Sequence, residues 1–406
     1  MASFAVPVLR LDRVEPHPFA DRLDLAVIGG YNAIIGKDQF KAGDLVVYIP
    51  EDSVLPEDLI DKLNVRAYLS GAGKNRVKAM KLRKVLSQGI VCSLDAAGLS
   101  ALTAANDDVS QMLGVVKYEP AVPAHLGGSL TAGGARDGLI YLDPRPAKYD
   151  IENLKKFPGT FADDEVVQVT EKLHGTYMQI GWDLSITPTD TLFGDGRVWI
   201  NSKGLGAKGY VFRNPDATYP VSLRNRIKNW IRRLLGKKTD RPVISVPDNV
   251  YVRTAVDTDM IQKLMDYVLS NAPDEQIGRL VLMGELFGDV QDLKYGMKQG
   301  EVLFRLFDIQ IFDTNGRGGY LDAQKLSDAA VTLNIPTVPV LALAPWKDVQ
   351  PLLANGTSMF GDRNHMREGV IIRSAVEREV FGLGRAQLKY VTEQYLLRKG
   401  ETTELS

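Results

Sequence analysis

Six residues, Glu171-Lys172-Leu173-His174-Gly175-Thr176, follow the apolar run Val166, Val167, Val169 and precede Tyr177-Met178-Gln179-Ile180. A strand ending there presents Lys172 as a nucleophile beside Gly175, where the missing Cβ lets a ligand approach the backbone. Five further residues lie at or beside runs of buried-strand character: Lys203, Glu285, Phe307, Glu368 and Lys389. If a sheet brings all six to one cleft, their types describe one task. Lys172 attacks, Glu285 and Glu368 hold a divalent metal, the other lysines meet phosphate oxygens, and Phe307 offers a face to a base. Together they make a site for attack on a nucleoside triphosphate.

The chain that must position them has 406 residues, about two or three times a typical single domain, so two domains are expected. Its 45% hydrophobic and 24% charged content and net charge of -1 describe an ordinary globular protein. A nucleic-acid partner must therefore be met by local basic patches. The single cysteine, Cys92, excludes an intramolecular disulfide and a multi-cysteine zinc cluster. No apolar run reaches the roughly 18 residues needed to span a bilayer, and the N-terminus lacks the features of a signal peptide. A cytoplasmic, monomeric protein without membrane contact is expected.

Short strands broken by Gly, Pro and Asp fill the first 110 or so residues: Ala26 to Gly30, Ala33 to Gly36, Leu45 to Pro50 and Gly89 to Leu94. They suggest a small β-barrel. Among them Lys74, Arg76, Lys78, Lys81, Arg83 and Lys84 form a basic cluster without an acid, read as an electrostatic footprint for a phosphate backbone. Residues 104 to 158 read as a connector, with Tyr149 to Phe157 as a short helical or docking segment. Leu192 to Ile200 reads as a hairpin about Asp195-Gly196 that delivers Asn201-Ser202-Lys203-Gly204 to its far end. Helices are expected over Ser222 to Leu235, Asp257 to Asn271, Asp322 to Leu333 and Trp346 to Asn355. The first of these is strongly basic, which suits either a solvated face or a second nucleic-acid patch. Strands are expected at Leu280 to Gly288, Val302 to Phe312 and Gly369 to Arg373.

Two sets of residues also resemble known families. Val14 to Leu23 looks like the opening of OB-fold domains that bind tRNA. Glu171-Lys172-Leu173-His174-Gly175-Thr176 resembles motif I of the covalent nucleotidyltransferases, the superfamily of polynucleotide ligases and mRNA capping enzymes. Asn201 to Gly204, Met283 to Gly288, Phe304 to Ile309, Arg367 to Arg373 and Ala386 to Tyr390 resemble that superfamily's later motifs, in its order. DNA ligases and capping enzymes usually carry aspartate where this chain has His174, whereas Lys-x-His-Gly-Thr resembles the RNA ligase 2-like branch. An OB domain ahead of the catalytic part is likewise similar to RNA ligases.

The resemblance implies an α+β protein: an OB-like β-barrel over residues 1–120, a connector over 121–158, and an ATP-grasp-like nucleotidyltransferase domain over 159–406, built on antiparallel sheets with flanking helices. It implies an RNA ligase that uses ATP and Mg2+ or Mn2+ and seals 3′-hydroxyl and 5′-phosphate ends of RNA, at nicks or breaks, through AMP carried on Lys172. Its rivals are a DNA ligase or capping-type enzyme, and an inactive RNA-binding protein. The implied roles are base contact for Glu171 and stacking for Phe307. Lys203 would approach ribose or phosphates, Glu285 and Glu368 the metal, Lys389 the α-phosphate, Gly175 the cofactor, and His174 would serve the later steps. Motif V commonly reads Lys-x-Lys, but here Gln387 stands first, so Arg373 or Arg385 is the candidate for the missing charge.

Overall fold

A computed structural model describes residues 4–100, 102–118, 138–214, 249–270, 277–361 and 365–398. The basic helix expected at 222–235 lies outside these. Short strands follow one another at the N-terminus: β1 (Val8–Arg10), β2 (Arg13–Pro16), β3 (Leu23–Ile28), β4 (Tyr31–Gly36), β5 (Leu45–Ile49), β6 (Met80–Leu82), β7 (Val85–Ser87) and β8 (Ile90–Ser93). β1, β5 and β8 form one antiparallel sheet, β2, β3 and β4 another, and β6 with β7 a hairpin. The unbroken apolar run of β5 serves two cores. Val47 and Ile49 pack with Leu59 and Ile60 of helix α1 (Glu57–Leu63), while Val46 and Tyr48 pack with Ala26 and Ile28. Pairing is thus divided among separate sheets and does not run unbroken round a closed barrel, as the strand count alone suggests.

Two five-stranded sheets build most of the rest. Their strands are β9 (Glu152–Asn153), β10 (Val166–Lys172), β11 (Gly175–Asp183), β12 (Val198–Ser202), β13 (Ile277–Gly288), β14 (Val302–Asp313), β15 (Gly318–Tyr320), β16 (Val340–Pro345), β17 (Gly369–Ser374) and β18 (Gln387–Val391). One sheet has the order β9-β18-β17-β10-β16, the other β12-β11-β13-β14-β15. Only β9 and β18 run parallel; all other pairs within these two sheets are antiparallel. Side chains alternate across a strand, so register sorts them. In the first sheet Val167, Val169, Val370, Ile372 and Leu388 face Phe161, Trp346 and Val349. In the second, Met178, Ile180, Leu280 and Leu282 pack beneath helices α3 (Val250–Asp257), α4 (Met260–Ser270) and α5 (Ala323–Thr332). The opposite faces of both sheets carry Lys172 and Lys389 on one side and Tyr177 and Glu285 on the other.

Several expectations are corrected. Leu192 to Ile200 is not a two-stranded hairpin: the turn at Asp195-Gly196 is closed by the single bridge Phe193–Val198, and β12 pairs along β11 instead, where all five of its residues are buried. The helix expected from Asp257 starts at Met260, because Asp259, whose φ of 54° is left-handed, separates it from α3, a helix that the sequence reading did not expect. After Trp346–Val349 the α-helix gives way to a 3₁₀ turn containing Pro351, because proline cannot donate to the preceding turn. Tyr149 to Phe157, by contrast, does dock and is partly helical: the two residues of β9 pair with β18 and Leu154–Lys156 forms a 3₁₀ turn. β16, an edge strand beside β10, had no sequence signal strong enough to find it. Among the described residues no helix is long and apolar enough to cross a membrane.

Between β10 of one sheet and β11 of the other the chain has only Leu173 and His174. Gly175 begins β11 so close to β13 that a Cβ there would run into the carbonyl oxygen of Leu286. Backbone cannot yield as a side-chain tip can. Gly175→Ala is therefore expected to cost about 3 kcal/mol or more of stability, read as a fall in the unfolding midpoint, whereas Gly43→Ala, where a Cβ meets nothing, loses less than half as much from backbone strain alone.

Candidate active site

Lys172 ends β10 opposite Gly369 of β17, and Lys389 of β18 sits opposite Ile371 on the same face. The register therefore brings the two lysines to neighbouring layers of one wall. Lys172 Nζ forms an ion pair with Glu368 Oε1; the lysine side chain is 27% exposed and the carboxylate 7%. Glu368 Oε2 is buried, has no hydrogen-bond partner, and lies 3.8 Å from His174 Nδ1. The preceding residue, Glu171, points through the opposite face, where Oε2 accepts the Met359 N–H at 2.9 Å. Burial raises its carboxyl above the usual range, against the opposing effect of the Ser358 and Met359 hydrogen bonds.

His174 is held from every side. Its backbone N–H donates to Tyr295 Oη at 2.7 Å, Nε2 meets Asp292 Oδ1 at 2.6 Å, and Nδ1 meets Tyr395 Oη at 2.7 Å. Burial lowers its pKa more than Glu368 and Asp292 raise it, so the neutral ring is favoured. Asp292 is held below the usual carboxylate range: burial opposes this, but His174 and Arg398 outweigh it. Burial also keeps the Tyr395 phenol well above its ordinary value, so Tyr395 retains its proton. These partners assign the tautomer: Nε2–H donates to Asp292 and Nδ1 accepts from Tyr395.

The facing wall is the second sheet. Glu285 of β13 stands opposite Tyr177 of β11, half-buried. Phe307 is the extra residue of a β-bulge, since Met283 pairs with Asp308 but Gly284 already pairs with Leu306. A bulge re-aims side chains, and here Phe307 packs against Tyr149 and Tyr177, with ring centroids 5.4 and 5.8 Å away. Tyr149 spans to the first sheet: its hydroxyl is shared between Asp308 Oδ2 at 2.8 Å and Gln387 Oε1 at 3.1 Å. Lys203, at the start of helix α2 (Lys203–Ala207), pairs with Asp150 at 2.9 Å beside a small cleft bounded by Tyr149, Tyr177 and Asn201.

Arg373 and Arg385 do not stand free to replace a phosphate-binding lysine. Arg373 Nε donates to Gln168 Oε1 at 3.0 Å and its Nη1 lies 3.4 Å from Asp308. Arg385 binds Asp308 at 2.6 Å and Glu377 at 2.7 Å. Although burial opposes its charge, these carboxylates hold the Arg385 guanidinium above its ordinary pKa. In the basic cluster, Lys74, Lys81, Arg83 and Lys84 are exposed and Lys78 half-buried, but Arg76 is turned inward, paired with Asp52 at 2.5 Å and stacked on Tyr118. Sequence reading missed Tyr149, Asp292, Tyr295, Tyr395 and Arg398. None stands in a motif, and their grouping depends on distances across the fold.

Comparison with known proteins adds three findings. A model of the family described as RNA ligase matches residues 165–391, and a model of an OB-fold domain matches residues 5–94. A search of curated proteins found no match. Among solved structures, a lysine-to-alanine mutant of Naegleria gruberi RNA ligase with ATP and Mn superposes with a TM-score of 0.66 at 20% identity, covering 97% of this chain and 98% of that one. The same enzyme with PPi gives a TM-score of 0.66 at 21% identity over 97% and 98%. At such identity the likeness is one of fold.

The His174 environment sets a pH dependence. Its folded pKa lies below the unfolded value of about 6.5, so its share of stability is present above that pH and is lost as pH falls toward the folded pKa, because only the unfolded chain takes up the proton. Thermal unfolding between roughly pH 7 and 5 should fall more steeply for wild type than for His174→Gln. Parallel slopes would contradict the assignment.

Proposed function

Because this chain belongs to the RNA ligase family, we propose that it seals RNA 3′-hydroxyl and 5′-phosphate ends, at nicks or breaks, with ATP as the source of AMP. The observation that carries this reading is the placing of Lys172 at the crossing between two sheets, paired with Glu368 and sharing a face with Lys389. Lys172 Nζ leaves the ion pair, gives up a proton and bonds to the α-phosphorus; the bond to the β-phosphate breaks and pyrophosphate leaves. A 5′-phosphate oxygen of RNA then takes the AMP as the phosphorus–nitrogen bond breaks. Finally the 3′-hydroxyl attacks that phosphate, its proton departs, AMP leaves and a phosphodiester remains. All three are phosphoryl transfers, in which positioning and charge stabilisation carry most of the catalysis.

The donors fit a hard divalent cation. Among the described residues no group of three or more His, Cys, Asp or Glu is built to hold a metal by itself. Yet Glu368 offers a buried oxygen without a partner and Glu285 a half-buried carboxylate. Such a pair suits Mg2+ or Mn2+ that keeps water and phosphate ligands, and when bound the ion neutralises developing phosphate charge. Lys389 would meet the α-phosphate, Lys203 the ribose or phosphates and Phe307 the base, whereas the Glu171 side chain is turned to the opposite face of β10, on the Met359 amide. Arg373 and Gln387 support this wall rather than touch the nucleotide.

The division into residues 1–120, 121–158 and 159–406 follows the same reading, with the exposed lysines and Arg83 of the β6–β7 region docking RNA and the protein acting as a monomer. Incubated with labelled ATP and Mg2+ or Mn2+, the wild type should acquire covalent label and Lys172→Ala none; label from GTP but not ATP, or none in wild type, would overturn the proposal. Removing residues 1 to about 120 should spare self-adenylylation but weaken sealing of nicked RNA by about tenfold or more, as loss of several phosphate contacts demands; unchanged sealing would remove the docking role.

A further inference from the structure

Tyr149 lies upstream of the residues that match the RNA ligase family, in the segment that leads to β9. It is nevertheless central to the cleft. Only 8% exposed, its ring stacks on Tyr177 at 5.7 Å and meets Phe307 at 5.4 Å and Tyr320 at 6.0 Å. Burial holds the phenol well above its ordinary pKa, so the hydroxyl remains a donor for Asp308 and Gln387.

Phe307 needs such support. As the surplus residue of the bulge it has no partner directly across β13, so the strand ladder fixes it less firmly than its neighbours. Asp308, next in the chain, is fully buried and ties Tyr149, Arg373 and Arg385 together.

The charges in this cluster already balance: Asp308 and Glu377 against Arg373 and Arg385. A lysine at 387 would add a buried cation beside both arginines, without a carboxylate left to meet it. Glutamine avoids this. Its Oε1 accepts from Tyr149 at 3.1 Å and from Arg385 at 3.1 Å, so it bridges the connector to the first sheet.

We propose that Tyr149 is a positioning residue for the nucleotide's base: clamped by Asp308 and Gln387, its ring backs Phe307 and sets the angle of the base platform. The proposal rests on the reading that Phe307 takes the base of ATP. It also explains why Gln387 stands where related motifs carry lysine, since the position here serves the tyrosine and not the phosphate.

The test is self-adenylylation of the full chain across ATP concentrations, with inhibition by inorganic triphosphate, which has no base, measured alongside. Tyr149→Ala should raise the half-saturating ATP concentration about tenfold while the maximal rate changes by less than about threefold, as loss of aromatic backing predicts. Tyr149→Phe, which keeps the ring, should recover most of that loss, and triphosphate inhibition should be unchanged in both. Gln387→Lys should weaken ATP rather than strengthen it.

Half-saturation in Tyr149→Ala within about twofold of wild type overturns the proposal, since a lost aromatic pair should exceed that. Equal weakening of ATP and triphosphate also overturns it, because the damage is then not confined to the base. So does tighter ATP binding by Gln387→Lys, which would place that residue at the phosphates. Should Tyr149→Ala not fold, Tyr149→Leu, which retains apolar volume, is judged by the same criteria. If wild type takes no label from ATP, the functional reading fails and this inference with it; if wild type takes label and Tyr149→Ala matches it, the inference alone fails.

Discussion

The structure depends on a very short crossing. β10 ends at Lys172, β11 begins at Gly175, and between them only Leu173 and His174 carry the chain from one sheet to the other. A crossing of that length is possible because Gly175 meets the Leu286 carbonyl with no Cβ in the way. Leu173 is buried among Phe287, Tyr295 and Val338, and His174 is bonded at its backbone and at both ring nitrogens. Lys172 therefore projects from a rigid corner and pairs with Glu368 one residue before β17. Lys172 is placed by the geometry of the two sheets rather than by a flexible loop.

The space between the sheets is filled differently at its two depths. Near the crossing stand Lys172, Glu368 and, on the other wall, Glu285. Farther in, Gln168, Arg373 and Gln387 of the first sheet face Asp308 of the second, with Tyr149 between them. This inner layer is a closed polar network: paired charges and shared hydrogen bonds satisfy most of its groups, as burial in a low dielectric requires. The outer layer keeps Lys172, Lys389 and Glu285 partly exposed beside the buried Glu368, where a charged ligand can reach them. Sequence motifs do not separate these layers, because Arg373 and Lys389 lie equally within strands that resemble the family's.

Much of the site was legible because its chemistry is local. The strand before Lys172, the apolar runs about Glu285 and Phe307, and Glu368 ahead of Gly369 each announce themselves within a few residues, and all are found on the two walls. β5 and β13 were legible for a related reason, since strands buried on both faces read as unbroken apolar runs. Helix α3 and the loss of the expected hairpin at Asp195-Gly196 were not legible. The first is only eight residues long, and the second was decided by competition, as β12 gains five paired positions along β11 and only one bridge with Phe193.

By itself, then, the sequence determined the candidate nucleophile Lys172, the acidic and aromatic residues grouped with it, and the strands that carry them, because residue type and spacing act over a few positions along the chain. Only the tertiary structure decided that Gln387 accepts from Tyr149, that Arg373 and Arg385 are spent on Asp308, and that the neutral form of His174 is favoured between Asp292 and Tyr395. Those roles are fixed by hydrogen bonds and charge pairs between residues up to 238 positions apart, formed only where two sheets close on one another.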